Sequence, residues 1–465
     1  MNVQKLSIFI KAFCSILLYS VFFGSAYASA QDNNFISLCG VGSLQQVNRA
    51  VGNGANVNER NSLGVTPLMW ATANNPDSDV ARALINAGAD KNVKSDNGMT
   101  PLMLAARNNN NPKMVTALVN SGMDVNEKNE YEWTPIMAAA ENNPNPSMIT
   151  ALVSAGADVN ARWKNEVTPL MIAASQNSNP EVIRALIRSG ADVHARDVNR
   201  WTALTYAASR NTNPEIATVL INAGVDVNAR DNQHAMTPLM CAGKSNSNPQ
   251  VITTLIKAGA NVHATAEDGF TALMFAALES TNPKVIRTLI NAGAGIDERS
   301  KDGDTPLMHA ACKNSKSDIV KELIEAGATV DVRNRRGETP LIVASLNTNP
   351  EVMKILIQAG ANVNAKTRNG GTPLTWTAWN NSKLEPLKIL IEAGADINAK
   401  TNNGGTPLMR AAKNNPNPEV IIALLQYGAN PKIRDGYEKM AIDYAKENER
   451  LYDTHALRKL NDVSF

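Results

Sequence analysis

A chain of 465 residues is too long for one compact core, since single cores stop growing at about 250–300 residues. Hydrophobic residues make up 43% and charged residues 19%, the balance of an ordinary soluble globular protein. Formal net charge is +2, and without the two lysines of the N-terminal leader the basic and acidic residues are equal at 43 each. Charge therefore gives no reason to expect nucleic acid or an anionic membrane as a partner.

The leader comes first. Lys5 and Lys11 make a positive start, and Ala12 to Phe23 is apolar but shorter than the roughly 20 residues a membrane span needs. Small residues from Ala26 to Ala30 supply a cleavage site. This pattern predicts a signal peptide over 1–30, cut after Ala30, and so a periplasmic or secreted protein. The competing reading is an uncleaved N-terminal anchor. No other segment is apolar and long enough to span. Beyond the leader stand Cys39, Cys241 and Cys312. An odd count in an exported chain argues against a disulfide framework, and all three read as packing residues or free thiols.

Next comes a repeat. Thr-(Pro/Ala)-(Leu/Ile) recurs with Thr at 66, 100, 134, 168, 202, 237, 271, 305, 339, 372 and 406, in steps of 33 to 35 residues. A Gly-Ala-Asp-Val-Asn-like string recurs in phase, for example from Ala155 to Asn160. In the unit starting at Thr100, Thr100 is placed to N-cap a helix with Pro101 at its first position. Leu102, Ala105 and Ala106 share one face of it. Asn108 to Pro112 stop that helix, and Asn111 is placed to cap a second one with the apolar stripe Met114, Val115, Leu118 and Val119. Gly122 ends the second helix, and an extended finger leads on to Thr134. The Asn-rich turns resemble low-complexity sequence, but their fixed phase marks them as punctuation between helices.

This pattern resembles the ankyrin repeat, and eleven in-phase copies make the resemblance specific. It implies a mainly α fold: a solenoid of stacked antiparallel helix pairs with projecting β-hairpin or finger loops. Residues 63–435 are expected to hold eleven repeats. A capping repeat is expected at 31–62, where Phe35 to Asn58 shows second-helix and loop features without the Thr-Pro-Leu string. Another is expected at 436–465, with Met440-Ala441-Ile442 in its place. The family commonly has His after Thr-Pro-Leu. Here Met69, Met103, Met137, Met171, Met240, Met274, Met308 and Met409 occupy that slot. The loop-tying bonds of that His should be absent, replaced by apolar packing. A Met column in an exported protein is also open to oxidation, though core filling is the simpler reading.

No catalytic arrangement emerges. His194 and His263 fall in equivalent slots two units apart, too far to share a metal or a triad. His309 and Cys312 lie one helical turn apart but lack further ligands. No phosphate loop or metalloprotease motif is present. The expected cofactor list is empty, and no enzyme activity is expected.

Large residues mark a surface instead. The residue before each Thr reads Val65, Met99, Trp133, Val167, Trp201, Met236 and Phe270, then Asp304, Glu338, Gly371 and Gly405. A requirement shared by all repeats should not switch midway, so this column predicts an apolar strip over the first seven fingers. Four residues after Thr come Trp70, Tyr206, Cys241, Phe275, His309, Trp376 and Arg410, among others. One turn further on come Arg107, Glu141, Lys244, Trp379 and Lys413. By the resemblance, both columns face the concave groove. The candidate partner-binding residues are Trp70, Met99, Trp133, Val167, Trp201, Tyr206, Met236, Phe270, Phe275, Trp376 and Trp379. The alternative is that they pack against neighbouring fingers. The expected activity is binding of an unidentified protein partner by a monomeric scaffold. A glycan or cell-wall fragment on the Trp residues is the second reading, and an enzyme or metal protein the third.

Overall fold

The computed structural model describes residues 34–313, 317–347, 349–380 and 383–464. The expected signal peptide lies outside them. Among the described residues every element is a helix or a helical turn, and no strand forms. The chain divides into two compact units. One holds the residues up to Ala207 together with Asn213–Asp226, and the other holds Ala208–Thr212 and the residues from Val227 on. No described helix is long and apolar enough to cross a membrane.

Each repeat builds two short antiparallel helices. In the unit from Thr100 these are Pro101–Asn108 and Lys113–Asn120. The Thr100 hydroxyl accepts the Met103 N–H at 3.2 Å, which caps the first helix. Asn111 accepts the Lys113 N–H at 3.0 Å at the start of the second. Gly122 ends it in the left-handed region at φ +89°, where its N–H reaches the Val119 carbonyl. First helices pack on first helices of adjacent repeats, and second on second. The Leu of the Thr-Pro-Leu string and the Met that follows it are fully buried, as at Leu102 and Met103. The Met column is therefore core filling.

Asparagine ties one repeat to the next. Buried Asn109 donates from Nδ2 to the carbonyls of Thr72 (2.9 Å) and Asn75 (2.8 Å). Its Oδ1 accepts the N–H of Asn111. Asn143 repeats this with Ala106 and Asn109, and Asn177 with Ala140 and Asn143. In the second unit Asn246 does the same with Ala208 and Asn211. A parallel row joins Asn111 to Pro76, Asn145 to Asn110 and Asn179 to Pro144. A third row runs along the fingers: Asn126 donates to the Gly156 carbonyl and accepts the Asp158 N–H. Buried carbonyls at helix ends need partners. These amides supply them across the repeat boundary.

The fingers are closed turns rather than β-hairpins. The Asn129 side chain accepts the N–H groups of Tyr131 and Trp133, and Asn334 likewise accepts those of Arg336 and Glu338. The side chain holds both N–H groups, and two backbone bonds complete the turn: Asn129 N–H to the Trp133 carbonyl and Glu132 N–H to the Asn129 carbonyl. The one described β-bridge joins Trp163 to Val167. In the second unit neighbouring fingers touch backbone to backbone. The Asn402 N–H donates to the Asn369 carbonyl, and Gly370 (φ +78°) leaves no room for a Cβ, which would lie 2.7 Å from the Asn402 nitrogen.

The N-terminal cap is a fuller repeat than its sequence suggests. A first helix, Asn34–Val41, precedes the second, Leu44–Gly52. Asn75 bonds the Cys39 and Gly42 carbonyls, so this cap joins the same ladder. At the other end Ala441–Glu447 and His455–Ser464 close the second unit.

Candidate interaction surface

The candidate residues lie where the first helix meets its finger, and several of them pair across that junction. Trp201 lies edge-on to Tyr206 at 5.3 Å, and Phe270 tilts against Phe275 at 5.2 Å. Where the finger residue is Gly, the helix residue is large. A Cβ on Gly371 would lie 3.0 Å from Trp376 Nε1, and one on Gly405 would lie 3.9 Å from Arg410 Nε.

This pairing covers most of the expected strip. Met99, Trp133, Val167 and Met236 are buried, and so are Trp70, Tyr206 and Phe275 on the helices. Trp133 is only 8% exposed. The ring of Trp163 from the next finger stands edge-on to it at 4.9 Å, and the Trp163 indole donates to the Tyr131 carbonyl at 2.7 Å. Trp163 occupies the slot where most other fingers carry a turn-closing Asn, Asp, Ser or Thr, and packing replaces that bond. Tyr206 is held by its hydroxyl, which donates to Asp197 at 2.8 Å. These side chains are already covered within the protein. Of the candidates, Trp201, Phe270, Trp376 and Trp379 stay half-buried, with area still open.

Three of those four belong to the second unit, around a cavity of about 250 Å³. Phe270 and Trp376 line it, together with Leu346 and His309. Phe270 lies over the His309 ring at 4.3 Å. On the polar side, Asn334 Nδ2 donates to Asp304 Oδ1 and to Glu338 Oε2, both at 2.7 Å, and Arg336 Nε donates to the same Glu338 oxygen at 2.8 Å. The two acids where the column turns polar are thus bridged by one amide. Beyond the cavity, Trp376 and Trp379 form a tilted pair at 5.3 Å and 45°.

Burial pushes the His309 imidazole below its ordinary value of 6.5. Asp304, Asp268 and Asp302 oppose that shift, and Lys313 adds to it. Its Nε2 is enclosed and has no hydrogen-bond partner among the described residues. A base with a lowered folded pKa binds fewer protons than the unfolded chain just below pH 6.5, so its stabilisation is full above 6.5 and is lost as pH falls through the folded value. Thermal unfolding of the second unit should therefore drop as pH falls below 6.5, and His309→Gln should remove that part of the slope. An NMR titration of His309 with its midpoint at or above 6.5 would contradict this.

The thiols offer little chemistry. Cys39 and Cys241 are buried and pushed up to about 12, mainly by desolvation, and the Cys312 thiol is raised for the same reason. A buried thiol kept protonated is a poor nucleophile. Among the described residues no three His, Cys, Asp or Glu side chains converge as metal ligands.

The geometry defines a stacked-repeat protein that offers side chains from one helix face and its finger bases. A family model for ankyrin repeats (3 copies) matches residues 35–129, 70–163, 109–197, 136–231, 170–268, 273–367 and 363–435. The chain belongs to the ankyrin-repeat family, whose arrays are in general protein-interaction scaffolds without catalysis. No curated protein matches the chain. Among solved structures it is similar to the human ASB11 ankyrin repeat domain, at 28% identity and a TM-score of 0.43, over 49% of this chain and 97% of that one.

Proposed function

We propose that the protein is exported, loses residues 1–30, and acts as a monomeric, non-enzymatic scaffold. It holds a protein partner on the first-helix face of its second unit, between Phe270 and Lys413. The observation that carries this is the set of half-buried aromatics Phe270, Trp376 and Trp379 beside a cavity of about 250 Å³. Half-covered aromatics next to a pocket are the usual anchors of an interface. The inclination of the two Trp rings favours a wedged side chain over a flat sugar ring, which sets the glycan reading second. Equal numbers of acids and bases leave nucleic acid and membrane without an electrostatic basis.

The test is a photo-crosslinking residue placed at 379 or 346 on this face, and at 388 on the second helix of the same repeat. In the native organism, 379 and 346 should yield the same discrete protein adduct and 388 none. Equal adducts from all three positions, or none from 379 and 346, would reject the face. Sequencing the N-terminus of the mature protein checks export, which an intact Met1 would refute.

A further inference from the structure

The far end of this face carries cations that the protein does not neutralise. Arg410 stands one turn before Lys413 on the first helix Pro407–Asn414. Neither forms an ion pair among the described residues. The Arg410 guanidinium lies 5.8 Å from the Trp379 ring, and Lys413 Nζ lies 5.1 Å from the Tyr444 ring. The nearby acids are already engaged. Asp435 accepts the Tyr444 hydroxyl, Asp443 accepts the Met440 N–H, and Glu447 pairs with Lys439 at 2.6 Å. Gly405, like Gly371 in the repeat before it, leaves open the space over the helix that larger residues fill up to Glu338. Two free cations on one helix face are thus walled by Trp379 and Tyr444, with Trp376 stacked behind Trp379.

We propose that this end of the face binds an acidic peptide segment of the partner, with carboxylates on Arg410 and Lys413 and an apolar side chain against Trp376 and Trp379. The proposal rests on the partner-binding reading above and adds the chemistry of what is bound. Arg presents a planar fork that matches a carboxylate. Aromatic walls lower the local dielectric and strengthen the contact. A nucleic-acid strand fits less well, because its affinity grows with the number of phosphates neutralised, and only these two side chains on the helix are unpaired.

The test uses the full mature chain and Trp fluorescence. The probes are an acetylated peptide Ser-Glu-Leu-Glu-Leu-Ser, its Gln counterpart, and oligouridylate. The Glu peptide should bind at least about tenfold more tightly than the Gln peptide, and the preference should shrink with added salt. Arg410→Gln with Lys413→Gln should abolish the preference while the thermal midpoint stays unchanged. Trp201→Phe should leave it intact. Equal response to both peptides, no response to either at millimolar concentration, or tighter binding of oligouridylate would overturn the proposal. A crosslinked partner still captured at 379 by the Arg410→Gln, Lys413→Gln variant would sink this chemistry yet leave the scaffold reading standing.

Discussion

Asn143→Ala is expected to destabilise the first unit by about 3 kcal/mol, a large effect for one amide. Asn143 is buried, its Nδ2 serves the carbonyls of Ala106 (2.9 Å) and Asn109 (2.8 Å), and its Oδ1 holds the N–H of Asn145. Truncation leaves three backbone groups in a dry site with no donor or acceptor to replace it, each worth about 1–3 kcal/mol when orphaned, partly recovered by relaxation. Its two Nδ2 bonds cross to the preceding repeat, so the loss falls on the interface that makes stacking cooperative. Amide exchange across Pro101–Ser154 should speed up on both sides of the substitution. Asn142→Ala, one position earlier and exposed, should change little. Equal effects of the two would show that the ladder is incidental.

The second large effect concerns a charge pair in the same unit. Arg107 Nη1 lies 2.7 Å from Glu141 Oε2, and their side chains are 12% and 5% exposed. The contact is close, but Oε2 has no aligned hydrogen-bond donor. Burial raises the Glu141 carboxyl, and the opposing pull of Arg107 does not cancel it. Glu141→Ala should cost about 3 kcal/mol, because it strands a largely buried guanidinium. Arg107→Met combined with Glu141→Leu should recover most of that loss or exceed it, as apolar replacement of a buried pair often does. The pH dependence has a definite sign. A carboxyl raised in the folded state favours folding below its unfolded value of 4.5, and that contribution is lost as pH rises through the folded value. Acidifying from neutral towards that range should therefore strengthen this part of the fold, and Glu141→Gln should flatten the trend. Urea midpoints of the four proteins at two pH values decide it. A double variant no more stable than Glu141→Ala would contradict the desolvation argument.

The repeat itself was legible in the sequence because its signals are local. Thr100, Pro101, Asn111 and Gly122 act within their own turns, and the structure places each at the helix end its chemistry suggests. Thr134 and Thr305 depart from the Thr column: their hydroxyls are buried without a partner. What the sequence hid was relational. The Asn column was visible as punctuation, but that its amides bond the preceding repeat follows only from stacking. A fixed Asn-x-Asn-Pro phase, stricter than capping alone demands, was the available signal. The N-terminal helix Asn34–Val41 went unseen because it lacks the Thr-Pro-Leu start. The switch from Phe270 to Asp304 in the finger column suggested a contact strip, because each column was considered alone. Trp201 lies against Tyr206, and Gly371 leaves the space that Trp376 occupies, so finger and helix residues meet across one junction. Trp133, large and rare, is spent on Trp163. The area left open to a partner gathers where Gly replaces bulk in the finger.

Affinity for the partner captured at position 379 tests the central claim most directly, compared between two variants of the mature chain. Trp376→Ala with Trp379→Ala should weaken binding at least thirtyfold, the loss of about 2 kcal/mol or more expected of an interface hot spot. Trp133→Phe should stay within about twofold, because that side chain is covered by its neighbours. Undiminished binding by the Trp376, Trp379 variant, with loss in Trp133→Phe, would contradict the account and return the contact surface to the first unit.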